Sequence, residues 1–593
     1  MFDAVLVANR GEIAVRVIRA CRELGVRTVA VHSEIDRDAL HVRLADDAAS
    51  LPGATSADGY LDGAAILDVA RKFAVDAIHP GYGFLAENAE FAQAVTDAGF
   101  VFVGPPADVI ATMGDKVSAR QAARNAGVPV VPGTDQPLTD VAEAEEFGRR
   151  YGYPIAVKAA FGGGGRGLKV VRDAAQLRDA VEAAQREAKA AFGRAECYLE
   201  RYLERPRHVE VQVLADGYGT VVHLGDRDCS LQRRHQKLVE EAPAPDLPLD
   251  VREALRRAAV DLAKHVGYVN AGTCEFLVSD DGKSFYFLEM NTRLQVEHPV
   301  TELVTGVDLV QDQLRIAAGE PLGFSQSEVR LTGHAIEVRI NAEDPARGFV
   351  PTPGTIEELV IPQGPWVRFD TGVTSGATVP PCYDSMIGKL VVWHRDRESA
   401  RRRLRSALDE LTVRGIPTTA AFHKFAIDHP DFAAMRHRTV TVESEWDLSA
   451  LAAPQEDPAE GESLQIMTGT ATEAQTVRDV QLTIGGRPLY VTVYGRTYTD
   501  DRTAAVPPRR RGGAARDGDV IHDGPELLAP MQGTLVKFLV ADGTEVQAGD
   551  EVCIVEAMKM ENVLRAHRAG TVRIEREPGD VVEQGAAVAR IEQ

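Results

Sequence analysis

The chain has 593 residues, of which 44% are hydrophobic and 26% are charged, an ordinary balance for a protein of several globular domains. The formal net charge of -22 argues against nucleic acid or an anionic membrane as the main partner, although local basic groups can still bind anionic substrates. No stretch reaches the roughly 18 apolar residues of a membrane span, and the first ten residues are a poor signal peptide. The six Cys contain no C-x-x-C pair, so we expect a reducing, cytoplasmic location.

Strand-like and helix-like segments alternate at the start of the chain. The predicted strands are residues 4–8, 28–32, 77–79 and 100–103, and the predicted helices are residues 12–23, 64–73 and 88–97. This alternation predicts a parallel sheet with helices on both faces. Residues 115–318 continue as α/β, and residues 333–444 combine strands with a basic helix near residues 397–411.

The composition changes after about residue 448. Residues 450–462 are rich in Ala, Pro and acidic side chains, which is typical of a solvated connector, and residues 481–498 alternate like a small β element. Residues 502–518 are predicted to be a flexible linker. No aromatic side chains lie between its arginines, so it is not typical of a nucleic-acid site.

An internal repeat occupies the last part of the chain, where residues 542–552 align with residues 578–588. The matched pairs are Gly543/Gly579, Val546/Val582, Gly549/Gly585, Val552/Val588 and Val555/Ile591. Two copies of one strand-turn-strand unit can close on each other by pseudo-twofold symmetry. The repeat therefore predicts a small flattened β barrel, with residues 556–561 at a hairpin tip between the copies.

The hairpin tip has the sequence Glu-Ala-Met-Lys-Met-Glu. A Lys at an exposed turn is usually only solvated charge, but an exposed Met on each side needs a reason. The segment resembles the attachment motif of biotin carboxyl carrier domains, whose central Lys is biotinylated by a separate ligase. Lipoyl domains share the barrel but usually lack the paired Met. The resemblance covers about residues 527–592 and implies that Lys559 carries biotin.

A strand that ends at Lys158 is followed by a glycine-rich run at residues 161–167. Glycine backbone can approach phosphates closely and point its N–H groups at them. The run matches neither a Walker A loop nor a dinucleotide-binding turn. A plain linker is the competing interpretation, but a second strand-like segment, residues 168–171, leaves the run. The pattern favours a nucleotide site.

Two acidic residues, Glu275 and Glu289, lie within apolar strands joined through Asp281 and Gly282. Burying a carboxylate in a sheet is costly without a compensating cation, so magnesium is the economical explanation. A structural salt bridge is the competing interpretation. Asn291 would add a third oxygen ligand, and magnesium would normally bring ATP phosphates with it.

Polar residues next to this predicted metal site suit a small anion. Arg293, Gln295 and Glu297 could hold the anion while removing its proton. A basic set at residues 227–237 could close the site from the other side, although a charged surface loop explains that set equally well.

Taken together, Lys116, Lys158, the glycine loop and the metal-site residues resemble the ATP-grasp fold. The segments 9–14, 79–84, 113–116 and 289–299 resemble biotin carboxylase specifically, in the family's order, and the likeness runs over residues 2–448. One departure is visible, because the family's glycine run usually starts one residue earlier, where this chain has Phe161. We expect Phe161 to stiffen the lid over ATP without abolishing binding.

The resemblance implies an α/β biotin carboxylase of ATP-grasp fold followed by a small all-β biotinyl barrel. The expected domains are a Rossmann-like N-terminal domain (1–114), an ATP-grasp domain (115–330), a C-terminal α+β domain (331–448), a connector with a small β element and a linker (449–520), and a biotin carboxyl carrier domain (521–593).

The resemblance also implies a role for each site residue. Residues expected to bind ATP are Lys116, Lys158, Gly163, Gly164, Gly165, His208, Gln232 and His235, with Glu200 to Leu203 as the adenine hinge. A pair of Mg²⁺ or Mn²⁺ ions is expected on Glu275, Glu289 and Asn291. Bicarbonate is expected on Lys237, Arg293, Gln295 and the Val296 backbone.

In the implied mechanism Glu297 deprotonates bicarbonate, which attacks the γ-phosphate of ATP to give carboxyphosphate. This compound decomposes to carbon dioxide and phosphate, and the phosphate can take the proton from biotin N1. Arg339 is expected to pair with the ureido oxygen of biotin and stabilise its enolate.

No segment remains for a carboxyltransferase, so we expect a subunit of a hetero-oligomer whose separate carboxyltransferase β subunit binds acetyl-CoA, propionyl-CoA or a longer acyl-CoA. Residues 465–498 are the predicted docking element for that partner. A subunit of a two-component pyruvate or 2-oxo-acid carboxylase stays open. An ATP-grasp ligase with a lipoyl-like appendage and a non-catalytic carrier scaffold also stay open.

Overall fold

The computed structural model of the protein describes residues 1–53, 59–134, 136, 138, 140–159, 168–192, 196–451, 477–484, 487–494, 524–529, 533–557, 560–582 and 585–592. The predicted site residues Gly163, Gly164, Gly165 and Lys559 lie outside the described residues. Within the described ranges, no helix combines the length and the apolarity that crossing a membrane would need.

The N-terminal region forms a five-stranded sheet in the order β3-β2-β1-β4-β5, with every neighbouring pair parallel. This confirms the predicted parallel sheet. The central strand β1 is buried along its whole length, as expected for a strand covered on both faces. The elements are β1 (Ala4–Val7), α1 (Gly11–Glu23), β2 (Arg27–His32), α2 (Leu40–Leu44), β3 (Asp47–Ser50), α3 (Gly63–Phe73), β4 (Ala77–His79), α4 (Ala89–Asp97) and β5 (Val101–Phe102).

The next region begins with α5 (Ala107–Gly114), α6 (Lys116–Asn125) and α7 (Val141–Tyr151) and contains a small antiparallel sheet in the order β7-β6-β8. That sheet consists of β6 (Ile155–Ala159), β7 (Leu168–Val171) and β8 (Cys197–Arg201), covered by α8 (Leu177–Phe192). The elements that follow are β9 (Arg207–Ala215), β10 (Val221–Arg233), β11 (Gln236–Ala242), α9 (Leu249–His265), β12 (Asn270–Val278), β13 (Phe285–Asn291), α10 (His298–Thr305) and α11 (Leu309–Ala317).

The central sheet of the molecule has eight strands in the order β13-β12-β9-β10-β11-β14-β21-β19. It therefore continues without a break from the predicted ATP-grasp domain into the predicted C-terminal domain, because β11 pairs with β14. The C-terminal strands are β14 (His334–Asn341), β15 (Glu343–Asp344), β16 (Val350–Pro351), β17 (Gly354–Thr355), β18 (Glu358–Val360), β19 (Val367–Thr371), β20 (Thr378–Val379), β21 (Met386–His394) and β22 (Thr412–Arg414).

Helices α12 (Arg397–Glu410) and α13 (Ala420–Asp428) pack against this end of the sheet, and buried residues such as Leu404 and Phe422 fill the space between them. Two short helices follow, α14 (Pro430–Ala433) and α15 (Thr441–Ser444). Single 3₁₀ turns lie at Ala174–Gln176, Gln326–Glu328, Pro345–Arg347 and Ser449–Leu451. Beyond them, β23 (Val477–Ile484) and β24 (Arg487–Tyr494) form an antiparallel pair that overlaps the small β element predicted at residues 481–498 but begins four residues earlier.

The C-terminal barrel consists of two four-stranded sheets, in the orders β25-β32-β30-β27 and β29-β28-β26-β31. The repeat is visible in its backbone, because Gly543 and Gly579 have φ of 82° and 100°, and Gly549 and Gly585 have φ of 96° and 78°. Glycine adopts this left-handed region without steric cost. The strands are β25 (Glu526–Leu528), β26 (Gly533–Phe538), β27 (Glu545–Val546), β28 (Glu551–Ala557), β29 (Met560–Arg565), β30 (Gly570–Ile574), β31 (Val581–Val582) and β32 (Ala587–Glu592).

Candidate active site

A row of charged residues crosses four strands of the central sheet. Glu289 on β13 is the cross-strand partner of Glu275 on β12, which is the partner of Glu210 on β9, which is the partner of Arg227 on β10. Direct cross-strand partners lie side by side on one face of a sheet. Four residues far apart in the sequence thus form one polar surface, and the predicted site residues surround it.

Lys237 lies at the centre of this surface. Its Nζ lies 2.6 Å from Glu210 Oε2, 2.8 Å from Glu275 Oε1 and 2.6 Å from Glu297 Oε1. Burial works against a charged amine, but these three carboxylates raise the pKa of Lys237 well above its usual value. Lys237 is therefore held as a cation next to Gln295 and Glu297, which are among the residues predicted to act on a small anion.

Glu297 precedes α10 and joins two cations. Its Oε2 accepts a hydrogen bond of 2.8 Å from Arg339, while its Oε1 pairs with Lys237. Burial favours the protonated carboxyl, but Lys237, Arg339 and the nearby Arg227 lower the pKa of Glu297 far below its usual value. The predicted base is thus ionised and can accept a proton, as its role requires.

Arg227 holds Gln295 in place. Arg227 is fully buried, and its Nη2 donates to Gln295 Oε1 over 2.7 Å. The same guanidinium binds Glu210, Gln212, Thr273 and Thr301. The amide of Gln295 then donates to Glu275 Oε1 over 2.7 Å. The sequence placed Arg227 only within a basic set that could close the site and did not indicate that it positions Gln295.

The predicted metal ligands lie together. Asn291 Nδ2 donates to Glu275 Oε1 over 2.9 Å, and Glu289 is the cross-strand neighbour of Glu275. One expectation was wrong, because Glu289 is exposed, whereas Glu275 is buried. Glu289 lies near the end of an edge strand, where one side meets solvent. Partial desolvation and the charge of Glu275 raise the pKa of Glu289, and a divalent cation between the two would relieve that repulsion. The oxygen-rich set therefore fits magnesium.

The predicted nucleotide-binding residues surround the small sheet and the edge of the large one. Lys158 pairs with Glu200, which also binds Arg120, so the side chain of Glu200 is already engaged. Burial raises the pKa of Glu200, but the charges of Lys158 and Arg120 lower it below its usual value. Lys116 is exposed at the first turn of α6, and Leu203 is half-buried beyond β8.

His208 and Gln232 lie deeper in the site. His208 Nε2 is 2.9 Å from Glu275 Oε2, and Gln232 Nε2 is 3.4 Å from His208 Nδ1. Burial disfavours the charged imidazole, but Glu275 raises the pKa of His208 above its usual value. His235 differs from these two residues, since it is exposed in the β10–β11 hairpin turn, where it and Arg234 both have positive φ.

Arg293 and the Val296 backbone complete the predicted anion site. Arg293 donates to Glu87 Oε2 over 2.9 Å and to Asn291 Oδ1 over 3.0 Å. The carbonyl of Val296 accepts a 2.8 Å hydrogen bond from Lys389, a fully buried residue. Lys389 also lies 3.0 Å from Glu12 Oε1, which ties the motif at residues 9–14 to the site. Sequence reasoning did not single out Lys389.

Comparison with known proteins agrees with this architecture. Family models match residues 1–110 (biotin carboxylase, N-terminal domain), 115–325 (carbamoyl-phosphate synthase L chain, ATP binding domain), 337–444 (biotin carboxylase C-terminal domain) and 525–591 (biotin-requiring enzyme). The biotin-dependent acyl-coenzyme A carboxylase alpha3 subunit of Mycobacterium leprae is 46% identical over 604 residues, covering 99% of this chain and 98% of the relative.

Two further relatives match about three quarters of the chain. The biotin carboxylase of Haemophilus influenzae is 53% identical over 73% of this chain and 96% of its own length. The biotin carboxylase domain dimer of Hydrogenobacter thermophilus 2-oxoglutarate carboxylase, solved with MgADP, ADP and bicarbonate, has a TM-score of 0.69 and 49% identity, covering 75% of this chain and 97% of that chain.

The fold and the matches define a ligase that carboxylates biotin at the expense of ATP, with a biotin-type carrier domain on the same polypeptide. The chain belongs to the family of biotin-dependent acyl-CoA carboxylase alpha subunits. ATP, magnesium and covalently attached biotin are its cofactors.

Proposed function

We propose that the chain carboxylates a biotin attached to its own Lys559 and that a separate carboxyltransferase β subunit passes the carboxyl group to an acyl-CoA such as acetyl-CoA or propionyl-CoA. The observation that carries the proposal is the Lys237–Glu297–Arg339 cluster, which lies in the same polypeptide as a carrier barrel. The name of the Mycobacterium leprae relative supports the choice of acyl-CoA.

The anion site binds bicarbonate in this proposal. Lys237, Arg293, Gln295 and the Val296 backbone hold the anion, and Glu297 takes its proton as it attacks the γ-phosphate of ATP. The low basicity of Glu297 depends on its two cationic neighbours. When bicarbonate draws Lys237 toward itself, Glu297 loses part of that stabilisation and becomes a stronger base.

The nucleotide site uses the residues around the small sheet. Lys116, Lys158, Gly163, Gly164, Gly165 and His208 hold the phosphates, Gln232 and His235 complete the pocket, and the backbone from Glu200 to Leu203 meets the adenine. Glu275, Glu289 and Asn291 would hold the magnesium or manganese ions, which neutralise charge on the transferred phosphoryl group when bound. Positioning and charge neutralisation supply most of the rate.

Arg339 is proposed to face the ureido oxygen of biotin. Its guanidinium is fixed at Nε by Glu240 and reaches Glu297 through Nη2. A preorganised cation at the point where negative charge develops is the usual source of the largest catalytic effect. Arg339 therefore has to turn from Glu297 to biotin once Glu297 has accepted its proton.

We further propose that a biotin protein ligase modifies Lys559 and that the β subunit docks on residues 465–498, which gives a cytoplasmic hetero-oligomer. The proposed domains of the chain are residues 1–114, 115–330, 331–448, 449–520 and 521–593. Because carrier and carboxylase share a chain, effective concentration replaces diffusion in the first half-reaction.

The test uses the purified, biotinylated chain with ATP, magnesium and radiolabelled bicarbonate. Label on the carrier domain that avidin captures, and that Lys559→Arg abolishes, would support the proposal, and no label on the wild-type chain would refute it. Co-purification with the β subunit and a carboxylation assay across acyl-CoA lengths then identifies the substrate. Activity on pyruvate or another 2-oxo acid alone would exclude acyl-CoA.

A further inference from the structure

Two glutamates face each other across the central sheet beside Arg339. Glu240 on β11 and Glu337 on β14 are direct cross-strand partners, and neither has any exposed surface. The Cβ atoms of such partners lie about 4.5–5.5 Å apart on one face of the sheet. Two carboxyl groups are thus buried side by side next to Arg339, which also contacts the proposed base Glu297.

The hydrogen bonds of this pair are incomplete. Glu240 Oε1 accepts from Arg339 Nε over 2.6 Å. Among the described residues, Glu240 Oε2 and both oxygens of Glu337 have no hydrogen-bond partner. A buried ionised oxygen without a partner is costly, and two such charges side by side repel each other. A proton on one of the two carboxyls removes both problems.

The cations around the pair are already engaged. Those that act most strongly on Glu337 are Lys389 and Arg339. Lys389 binds Glu12 at 3.0 Å and the carbonyl of Val296 at 2.8 Å, so its charge is shared. Arg339 divides its guanidinium between Glu240 and Glu297.

The other charged groups facing the pair act in opposite directions. Glu297 adds negative charge next to both carboxyls, and Lys237, which is bound to three other carboxylates, faces Glu240. Burial raises the pKa of Glu337 well above its usual value, and it raises that of Glu240 to about 7 in spite of Arg339. Both pKa directions agree with a carboxyl pair that retains one proton at neutral pH.

We propose that Glu240 and Glu337 share one proton at neutral pH and act as a positioning pair for Arg339. Glu337 carries the proton and directs its O–H toward Glu240, and the remaining charge on Glu240 fixes Arg339 by its Nε. The Nη groups are then free to move between Glu297 and biotin. This inference rests on the role of Arg339 given under the proposed function.

Loss of the shared proton has a defined consequence. With both carboxylates charged, Arg339 would be held between two anions on one side, and its attraction for charge developing on biotin would fall. The pair therefore links the pH to the competence of Arg339, without contacting any substrate itself. Such a positioning role predicts a change in the pH profile, which a purely structural role would not produce.

The test uses the full, biotinylated chain and follows bicarbonate-dependent ATP hydrolysis stimulated by free biotin, from acidic to alkaline pH. Glu337→Gln leaves the pair with a single negative charge at alkaline pH, as in the pair that holds one proton. We expect its kcat at neutral pH to stay within about twofold of the wild type, and its decline at alkaline pH to move upward or disappear. Glu343→Gln is the matched control, because Glu343 is also buried but bonds to Ser385 and Asn341 instead.

Glu240→Gln tests the other half of the pair. It removes the charge that fixes Arg339, so we expect KM for free biotin to rise about tenfold while KM for ATP stays unchanged. An equal change in both constants, or no change in either, would contradict the positioning role. If kcat of Glu337→Gln declines at alkaline pH in the same way as kcat of the wild type, the link between the pair and Arg339 is overturned.

Infrared difference spectroscopy reads the proton directly. The wild-type minus Glu337→Gln spectrum at neutral pH should contain the C=O band of a protonated carboxyl group, and its absence would overturn the shared proton. If Glu337→Gln does not fold, Glu337→Leu replaces it, since among the described residues Glu337 would lose only the hydrogen bond proposed to Glu240. A wild-type chain without biotin-stimulated hydrolysis would contradict the proposed function, whereas the infrared band would still decide whether the pair holds its proton.

Discussion

Arg339 donates to Oε2 of Glu297 over 2.8 Å, so the residue proposed to face biotin and the residue proposed to deprotonate bicarbonate contact each other. Each neutralises part of the other's charge. Substrate binding has to separate them, and the ion pair thereby couples the two halves of the site. Removing either partner should affect both substrates.

We expect Glu297→Gln to lower kcat for bicarbonate-dependent ATP hydrolysis by about a hundredfold or more, because the amide cannot accept the proton. The fold should survive, since the amide oxygen of Gln can still accept from Arg339 while Lys237 keeps its pairs with Glu210 and Glu275. Steady-state assays at saturating bicarbonate measure the effect, with Glu343→Gln as the buried control. A kcat near that of the wild type would exclude Glu297 as the base.

Lys237→Met should lower the free energy of unfolding by about 3–5 kcal/mol, because three buried carboxylates lose their shared cation. Lys424→Met is the matched control, since Lys424 pairs at 3.2 Å with Asp409 on the surface and its loss should cost about 0–1 kcal/mol. Urea unfolding of both variants gives the comparison. Equal losses in the free energy of unfolding would show that Lys237 contributes no more to stability than a lysine in a surface pair.

Glu241 should contribute to an acid-dependent part of the stability. It binds Arg397 at 2.6 and 2.9 Å and lies 2.9 Å from His334. Burial favours the protonated carboxyl, but Arg397 and His334 lower its pKa far below the usual value of 4.5. A carboxyl with a lowered pKa in the folded state stabilises the fold above its unfolded-state pKa, and this stabilisation is lost as the pH falls below that value.

The difference in free energy of unfolding between the wild type and Glu241→Gln should therefore be largest near neutral pH and shrink as the pH falls below about 4.5. Glu398→Gln serves as the surface control, because Glu398 is half exposed beside Arg401 and should show a small difference throughout. A Glu241→Gln difference that does not vary with pH would rule out ionisation as its source.

Lys559→Arg should abolish avidin binding of the chain expressed with a biotin ligase, while hydrolysis of ATP stimulated by free biotin continues at the wild-type rate. The carboxylase site does not need its own carrier when biotin is supplied in solution. Lys537→Arg, on β26 of the same barrel, is the control and should be biotinylated normally. Avidin binding by Lys559→Arg would move the attachment site elsewhere.

The sequence predicted those parts of the site that lie in continuous motifs. Residues 289–299 placed Asn291, Arg293, Gln295 and Glu297 together, and the structure brings them into one site. The sequence did not reveal Glu210 and placed Arg227 only in a basic set that could close the site, because alternation along a strand tells which face a residue occupies but not which strands become neighbours. Glu289 was expected to be buried because the sequence could not show that its strand, β13, lies at the edge of the sheet.

The repeat of the C-terminal barrel was predictable in greater detail, since its left-handed glycines and buried valines recur at fixed offsets. Phe161 shows the opposite case. It lies outside the described residues, and its expected effect on the glycine loop stays a prediction.

The unbroken central sheet also determines where the chain can be truncated without disrupting the fold. Lys237 and Arg339 lie on the adjacent strands β11 and β14, so truncation near residue 330 would leave β11 with a row of unsatisfied amides and carbonyls. Exposed strands of this kind aggregate. Expression fragments should therefore end after residue 451, and a hinge between the two regions that share this sheet cannot be the source of an opening movement that admits nucleotide.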